Sequence, residues 1–164
     1  MILEFCKWLA QTPLSILFQS VSWVVPSVQT VHILCVAIVV TRCAMLDLRL
    51  IKGSRGGATV AQATRDAMPW IWGALAVLAA TGTVLIIAEP ARELTNAAFW
   101  LKMSLLVVGI ALAALVQRGI GQREDFWDMQ AGSRLAARCI GAVSLLLWVS
   151  VLSAGRWIGY VQHG

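Results

Sequence analysis

Long apolar runs alternate with short polar segments along the chain. Four stretches contain no Asp, Glu, Lys or Arg, and they cover residues 8–41, 67–88, 103–117 and 139–155. A helix needs roughly 20 predominantly apolar residues to cross the hydrocarbon core of a bilayer. The pattern therefore predicts an all-α fold, a bundle of four transmembrane helices over residues 26–47, 69–89, 97–117 and 139–159.

Capping and helix-breaking residues indicate where these spans begin and end. Pro26 is favoured in the first turn of the first span, because its ring presets a helical φ and its missing N–H is not needed there. Asp66 is a candidate cap for the second span, with Pro69 in the first turn and Glu89-Pro90 at the end. Asn96 is a candidate cap for the third. The intervening residues are expected to be loops.

Residues 1–24 are expected to form a segment separate from the bundle, which then comprises residues 25–164. Met1–Ala10 and the stretch after Thr12-Pro13 read as two short helices, the second capped by Thr12. Both are too short to cross a bilayer. Because their apolar side chains include Phe5 and Trp8, we expect these helices to lie along the membrane interface.

Composition supports a membrane protein and indicates an orientation. Hydrophobic residues make up 59% of the chain and charged residues 13%, which excludes a soluble globular domain. Nine of the 13 Lys and Arg residues belong to the side that contains loops 49–66 and 118–138. The positive-inside rule then places these loops in the cytoplasm and both termini in the periplasm of a bacterial inner membrane. The net charge of +5 is explained by this distribution and does not indicate nucleic-acid binding.

Polar side chains inside a span are costly and therefore indicate candidate sites. His32 is expected roughly 9 Å inside the outer end of the first span, at 1.5 Å per residue from Pro26. Other polar or sulfur-containing side chains are expected at a similar depth on all four spans. The predicted outer pocket therefore comprises Gln29, His32, Cys35, Glu89, Lys102, Met103 and Arg156.

Three hypotheses account for this pocket. It could hold a b-type haem in an electron-transfer subunit, with His32 and Met103 as axial ligands and Lys102 and Arg156 neutralising the propionates. It could bind copper(I) through His32, Cys35 and Met103, because soft cations select imidazole, thiolate and thioether ligands. The third hypothesis is a cofactor-free structural or assembly subunit. In it, His32 hydrogen-bonds across the bundle and Glu89 pairs with Arg92, Lys102 or Arg156. The expected partners are lipid, further copies of the chain, or another membrane or periplasmic protein, and no motif identifies a catalysed reaction.

Two further expectations concern the interior of the bundle. Asp47 is predicted to pair with Arg42 or Arg49 in a charge network at the inner interface. Small residues four positions apart predict close helix contacts, because they let two backbones approach. These pairs are Gly109 and Ala113, Ala137 and Gly141, and Gly155 and Gly159.

Several short motifs resemble a bacterial inner-membrane family whose function is not established. They are residues 4–9, Thr12-Pro13-Leu14, Trp23 to Pro26, His32-Ile33-Leu34, Asp47 to Leu50, Pro69-Trp70, Thr81-Gly82, Lys102-Met103 and Gly155 to Ile158. The resemblance covers nearly the whole chain and implies no activity. Members of that family often carry a histidine near the end of the third helix, where this chain has Gln117, which argues against a haem or metal role at the inner end. In architecture alone, the chain is similar to four-helix membrane cytochromes b and to the membrane domains of copper-resistance proteins.

Overall fold

The computed structural model describes residues 1–52, 59–122 and 131–157. These residues form seven α-helices and no strand. In chain order the helices are α1 (Ile2–Ala10), α2 (Pro13–Ser20), α3 (Val24–Lys52), α4 (Val60–Ala88), α5 (Pro90–Leu94), α6 (Ala97–Gln122) and α7 (Ala131–Trp157).

Four of these helices are long and apolar enough to cross a membrane. They are α3, α4, Ala97–Gly119 of α6 and Leu135–Arg156 of α7. Most of their side chains face outward, where lipid would surround them. The all-α, four-helix membrane architecture predicted from the apolar runs is confirmed, and the chain is a multi-pass membrane protein.

Helix ends agree with the predicted caps at three places. The Thr12 hydroxyl accepts a hydrogen bond from Ser15 N at 3.4 Å, with Pro13 in the first turn of α2. Pro26 lies in the first turn of α3. Asn96 Oδ1 accepts from Ala98 N at 2.9 Å where α6 begins.

The predicted start of the second span is wrong. Helix α4 begins at Val60, with Thr59 accepting from Gln62 N at 3.2 Å, so Asp66 and Pro69 lie inside the helix. Residues 60–68 carry an apolar stripe at helical spacing, and burying this stripe against neighbouring helices favours continuing the helix. Its buried members are Val60, Ala61, Thr64, Ala67 and Met68. Similarly, part of the expected loop after Glu89 is the short helix α5.

Helix α3 is central to the packing, because it lies against both α4 and α7, and α6 packs on α7. A cluster of buried side chains joins α3, α4 and α7 in the middle of the bundle. Its members are Val39, Cys43, Leu46, Ala67, Met68, Ile71, Ala74 and Trp148. The core therefore combines the contact between the consecutive helices α3 and α4 with a contribution from α7, which is distant in sequence.

Glycines on α6 and α7 allow close helix contacts, as predicted. A Cβ on Gly141 would lie 2.8 Å from the Asp47 carbonyl oxygen, so the backbones of α3 and α7 approach each other closely at this point. A Cβ on Gly109 would lie 2.8 Å from Leu147 Cδ2 on α7. Ala137 is buried in a second apolar cluster with Leu50 and Val116. Gly159 lies outside the described residues.

The two N-terminal helices pack where α4 ends and α5 begins. The Cys6 thiol of α1 contacts the Pro90 carbonyl oxygen at 3.6 Å, and Cys6 is buried. Gln19 Nε2 of α2 donates to the Ala88 carbonyl oxygen at 2.8 Å. The opposite faces of these helices expose large apolar side chains, among them Phe5, Trp8, Leu14 and Leu17.

Candidate functional site

His32 belongs to α3, near the start of that helix, and its half-buried side chain contacts α4. Its Nδ1 is 2.8 Å from Thr81 Oγ1 on α4. Thr81 Oγ1 is also 2.8 Å from the Val77 carbonyl oxygen of its own helix, and a hydroxyl that donates to this oxygen can accept from the Nδ1–H tautomer of His32. In that tautomer the lone pair of the imidazole is on Nε2.

Gly82, the residue after Thr81, gives the histidine ring room. A Cβ at Gly82 would lie 3.5 Å from His32 Cε1, at ordinary van der Waals distance. The ring is therefore held by one hydrogen bond at its Nδ1 edge and flanked by a residue without a side chain.

The other α3 residues predicted for the pocket have different environments. Cys35, one turn after His32, is half-buried and packs against the central core cluster. Gln29 is exposed. The copper(I) hypothesis needs Met103 as a third ligand, and Met103 is half-buried on a different helix, α6. Among the described residues, no group of three His, Cys, Asp or Glu side chains lies close enough to hold a metal ion.

Lys102 lies against α7, and its positive charge also acts on His32. A Cβ on Gly155 would be 3.7 Å from Lys102 Cδ and 3.9 Å from its Nζ, so the lysine side chain covers this glycine. The lysine charge also acts on the Glu93 carboxyl of α5. Burial raises the pKa of Glu93 above its ordinary value, and the positive charges of Lys102 and Arg92 partly offset this effect.

Glu89 and Arg156 are positioned at the helix ends. Glu89 Oε2 accepts a hydrogen bond from Arg92 Nη1 at 2.6 Å, which is one of the three ion pairs considered for Glu89. Arg156 is exposed at the end of α7. In the described part of the chain, no hydrogen bond or ion pair joins His32 to Lys102 or Arg156. The structure thus brings His32 together with Thr81, and it places Lys102 against Gly155 with its charge acting on both Glu93 and His32.

Sequence reasoning missed a second polar site, which lies in the bundle interior. All four long helices line a small cavity with room for about one water molecule. Asp47 lines it with only 4% of its surface exposed. Its carboxyl hydrogen-bonds with Ser144 of α7, and Oδ2 has no hydrogen-bond partner among the described residues.

The predicted pairing of Asp47 with Arg42 or Arg49 is therefore wrong. Asp47 lies on the buried stripe of α3 formed by Val39, Cys43, Leu46 and Leu50. The Arg42 guanidinium instead stacks over the Trp70 ring, 5.2 Å from its centroid. The i, i+4 spacing from Val39 through Cys43 to Asp47 is the signal that could have placed this carboxyl in the core.

Comparison with known proteins is consistent with the resemblance noted in the short motifs. Neither the curated proteins nor the solved structures contain a match to the chain. A family model described as a family of unknown function, DUF6644, matches residues 7–161. Because the match extends over nearly the whole chain, the protein, with its four apolar helices, belongs to this family of unknown function.

Proposed function

We propose that this integral membrane protein binds a b-type haem through Nε2 of His32 and serves as an electron-transfer subunit of a membrane redox complex. The observation that carries the proposal is the hydrogen bond between His32 Nδ1 and Thr81 Oγ1. A metal-ligating histidine usually donates its second ring N–H to a nearby acceptor, which fixes the tautomer and the ring orientation. In the Nδ1–H tautomer His32 would have this arrangement, with Nε2 as the ligand atom.

The surrounding residues suit an anionic cofactor in part. Lys102 and Arg156 are the cationic side chains at the outer ends of α6 and α7, and they would neutralise propionates. Met103, next to Lys102, would hold the iron together with His32. The haem would supply one-electron chemistry. Thr81 would hold the imidazole, and Gly82 would leave one side of the ring free of a neighbouring side chain.

We further propose the bacterial cytoplasmic membrane as the location, with this site on the periplasmic side. The distribution of Lys and Arg supports this orientation, because nine of 13 lie toward the opposite ends of the helices. In this orientation α1 and α2 would lie in the outer interface. The exposed Phe5 and Trp8 side chains suit that environment, where aromatic rings are enriched.

The proposal is tested by absorbance spectra of the purified protein, oxidised and then reduced, after expression with a haem precursor supplied. We expect a Soret band that His32→Ala abolishes, because the axial ligand is lost while four apolar helices remain. Met103→Ala should shift the spectrum and lower the reduction potential, because a thioether ligand raises the potential relative to imidazole. A colourless wild-type protein would overturn the proposal.

The role of Thr81 is tested with a matched substitution on the same helix. Thr81→Val should shift the haem spectrum or weaken haem retention, because the imidazole loses its acceptor. Thr83→Val is the control, since Thr83 is exposed and bonds only the Ala79 carbonyl oxygen of its own helix at 2.8 Å. Equal effects of the two substitutions would contradict the assigned role of Thr81.

A cofactor-free structural or assembly subunit is the second candidate. The same His32–Thr81 contact favours it, because the contact is also an interhelical hydrogen bond that joins α3 to α4. In that case no variant absorbs in the Soret region, and His32→Ala costs about 0.6 kcal/mol of stability, the average for such a bond in a membrane protein.

A further inference from the structure

The cavity around Asp47 is independent of the His32 site. Asp47 is 15 residues after His32 on the same helix, which corresponds to about 22 Å along the axis at 1.5 Å per residue. The carboxyl is buried among side chains of all four long helices, and one of its oxygens has no hydrogen-bond partner among the described residues. An ionised carboxylate in such surroundings would be costly unless it were paired.

We propose that Asp47 is an intramembrane proton-binding site, which holds a proton in the closed bundle and exchanges it with a water molecule in the adjoining cavity. In this exchange the carboxylic acid gives its proton to water, which forms a carboxylate and hydronium, and the reverse step restores the acid. Ser144 hydrogen-bonds with the carboxyl, Oδ2 has no partner among the described residues, and Asp47 lines the cavity.

The cavity lining favours a proton over a metal cation. The lining side chains other than Asp47 and Ser144 are apolar or sulfur-containing, as with Leu112 and Met68, so two residues supply all of the side-chain oxygens. Hard metal cations take six or more oxygen ligands. A cavity with room for about one water cannot supply the rest as solvent.

The titratable and basic side chains near Asp47 are few, and two of the basic ones, Arg42 and Arg138, have other contacts. Cys43 is the other titratable side chain of the lining, one turn before Asp47 on α3. The lining residues that α4, α6 and α7 contribute are not titratable. Arg42 stacks on Trp70, and Arg138 of α7 donates to the Ile51 carbonyl oxygen at 3.2 Å. Among the described residues, the lining thus contains no basic side chain that could stabilise a carboxylate at Asp47.

The test is infrared spectroscopy of the full-length protein near neutral pH and after a shift to alkaline pH. We expect the carbonyl stretch of a protonated carboxyl group in the wild type, shifted by exchange into D₂O and lost at alkaline pH. Asp47→Asn should abolish it. Asp66→Asn is the matched control and should retain the band, because Asp66 is exposed on α4 and is not one of the residues that line the cavity. If the folded wild type lacks the band, or if Asp47→Asn retains it, the proposal is wrong.

A second variant tests the assignment if Asp47→Asn does not fold. Ser144→Ala should raise the frequency of the band, because the carboxyl loses a hydrogen bond. Ser153→Ala should leave the band in place, because Ser153 is exposed on the same helix and bonds the Val149 carbonyl oxygen. An unchanged frequency in Ser144→Ala would overturn the assignment to Asp47.

Discussion

His32 and Asp47 are both polar side chains of α3, but neighbouring helices satisfy them to different degrees. Thr81 Oγ1 of α4 is a hydrogen-bond partner for His32 Nδ1 at 2.8 Å. Asp47 has Ser144 as a partner for its carboxyl, and its Oδ2 is buried without one. Because leaving a buried polar atom unsatisfied costs about 1–3 kcal/mol, the packing around Asp47 must offset an unfavourable contribution.

The sequence pattern singled out one of these two side chains, His32, as a candidate site residue. His32 is an ionisable residue in an otherwise uncharged stretch, so the cost of burying it was sufficient to single it out. Asp47 lies between Arg42 and Arg49, and charge proximity along the chain favoured an ion pair. Whether Asp47 is buried or forms an ion pair depends on which side of α3 packs against α4 and α7. The sequence of one helix does not reveal which side that is.

Glu93 should titrate differently when Lys102 loses its charge. Burial raises the Glu93 pKa and the Lys102 ammonium lowers it, so Lys102→Met should raise the Glu93 pKa further. A carboxyl with a raised folded-state pKa stabilises the fold fully below its unfolded pKa, and this contribution is lost as pH rises through the folded pKa. Lys102→Met should therefore extend that window to higher pH.

The measurement for Glu93 is a pH titration of its side chain by NMR with labelled glutamate. Glu93→Gln assigns the resonance, and Lys7→Met serves as a charge-matched control on exposed Lys7 of α1. We expect the Glu93 midpoint to move only in Lys102→Met. A midpoint that stays unchanged in that variant would show that Lys102 does not act on Glu93.

At the scale of the helices, apolar runs determine which segments are helical, and buried stripes determine where they end. The uncharged run from residue 67 to 88 was sufficient to predict α4 as a span. Its start was placed too late, because Asp66 and Pro69 have the local features of a helix start. Burial of Val60, Ala61 and Thr64 against other helices outweighed those local signals.

Close approach of α3 and α7 at Gly141 should make this position intolerant of a side chain. Gly141→Ala would place a Cβ 2.8 Å from the Asp47 carbonyl oxygen and 3.1 Å from Ile51 Cγ1. Since a backbone oxygen cannot move aside as a side chain can, we expect a loss of about 1–3 kcal/mol in the free energy of unfolding. Unfolding in mixed detergent measures this loss. Gly73→Ala is the control, because nothing lies within 4 Å of a Cβ there, and it should be neutral.

The hydrogen bond from Gln19 to the Ala88 carbonyl should hold the N-terminal helices on the bundle. Gln19→Leu removes the donor and leaves the carbonyl of fully buried Ala88 unpaired, at a cost of about 1–3 kcal/mol. Faster hydrogen exchange in α2, measured by mass spectrometry, is the expected result. Gln11→Leu is the control, because Gln11 caps α1 through its backbone alone. Equal exchange in the two variants would contradict this role.

For the whole molecule, the sequence was sufficient to predict four membrane-spanning helices but not how they pack. The number of spans follows from hydropathy, because a membrane accepts only segments that satisfy their own backbone hydrogen bonds. The predicted outer pocket assumed that all four spans bring side chains to one point. The structure places His32 against Thr81 and Lys102 against Gly155, with the Lys102 charge acting on His32, and a pocket that joins side chains of all four spans stays a prediction.

The orientation of the whole molecule is the last prediction, and it follows from where the basic residues lie. Nine of 13 Lys and Arg residues lie on the side of residues 49–66 and 118–138, so that side should be cytoplasmic. Alkaline phosphatase fused after Gly164 should then be active and a fluorescent protein at the same point dark. Insertion of either reporter between Gly56 and Gly57 should give the opposite pair of results. An inactive phosphatase and a fluorescent reporter after Gly164 would reverse the orientation and place His32 on the cytoplasmic side.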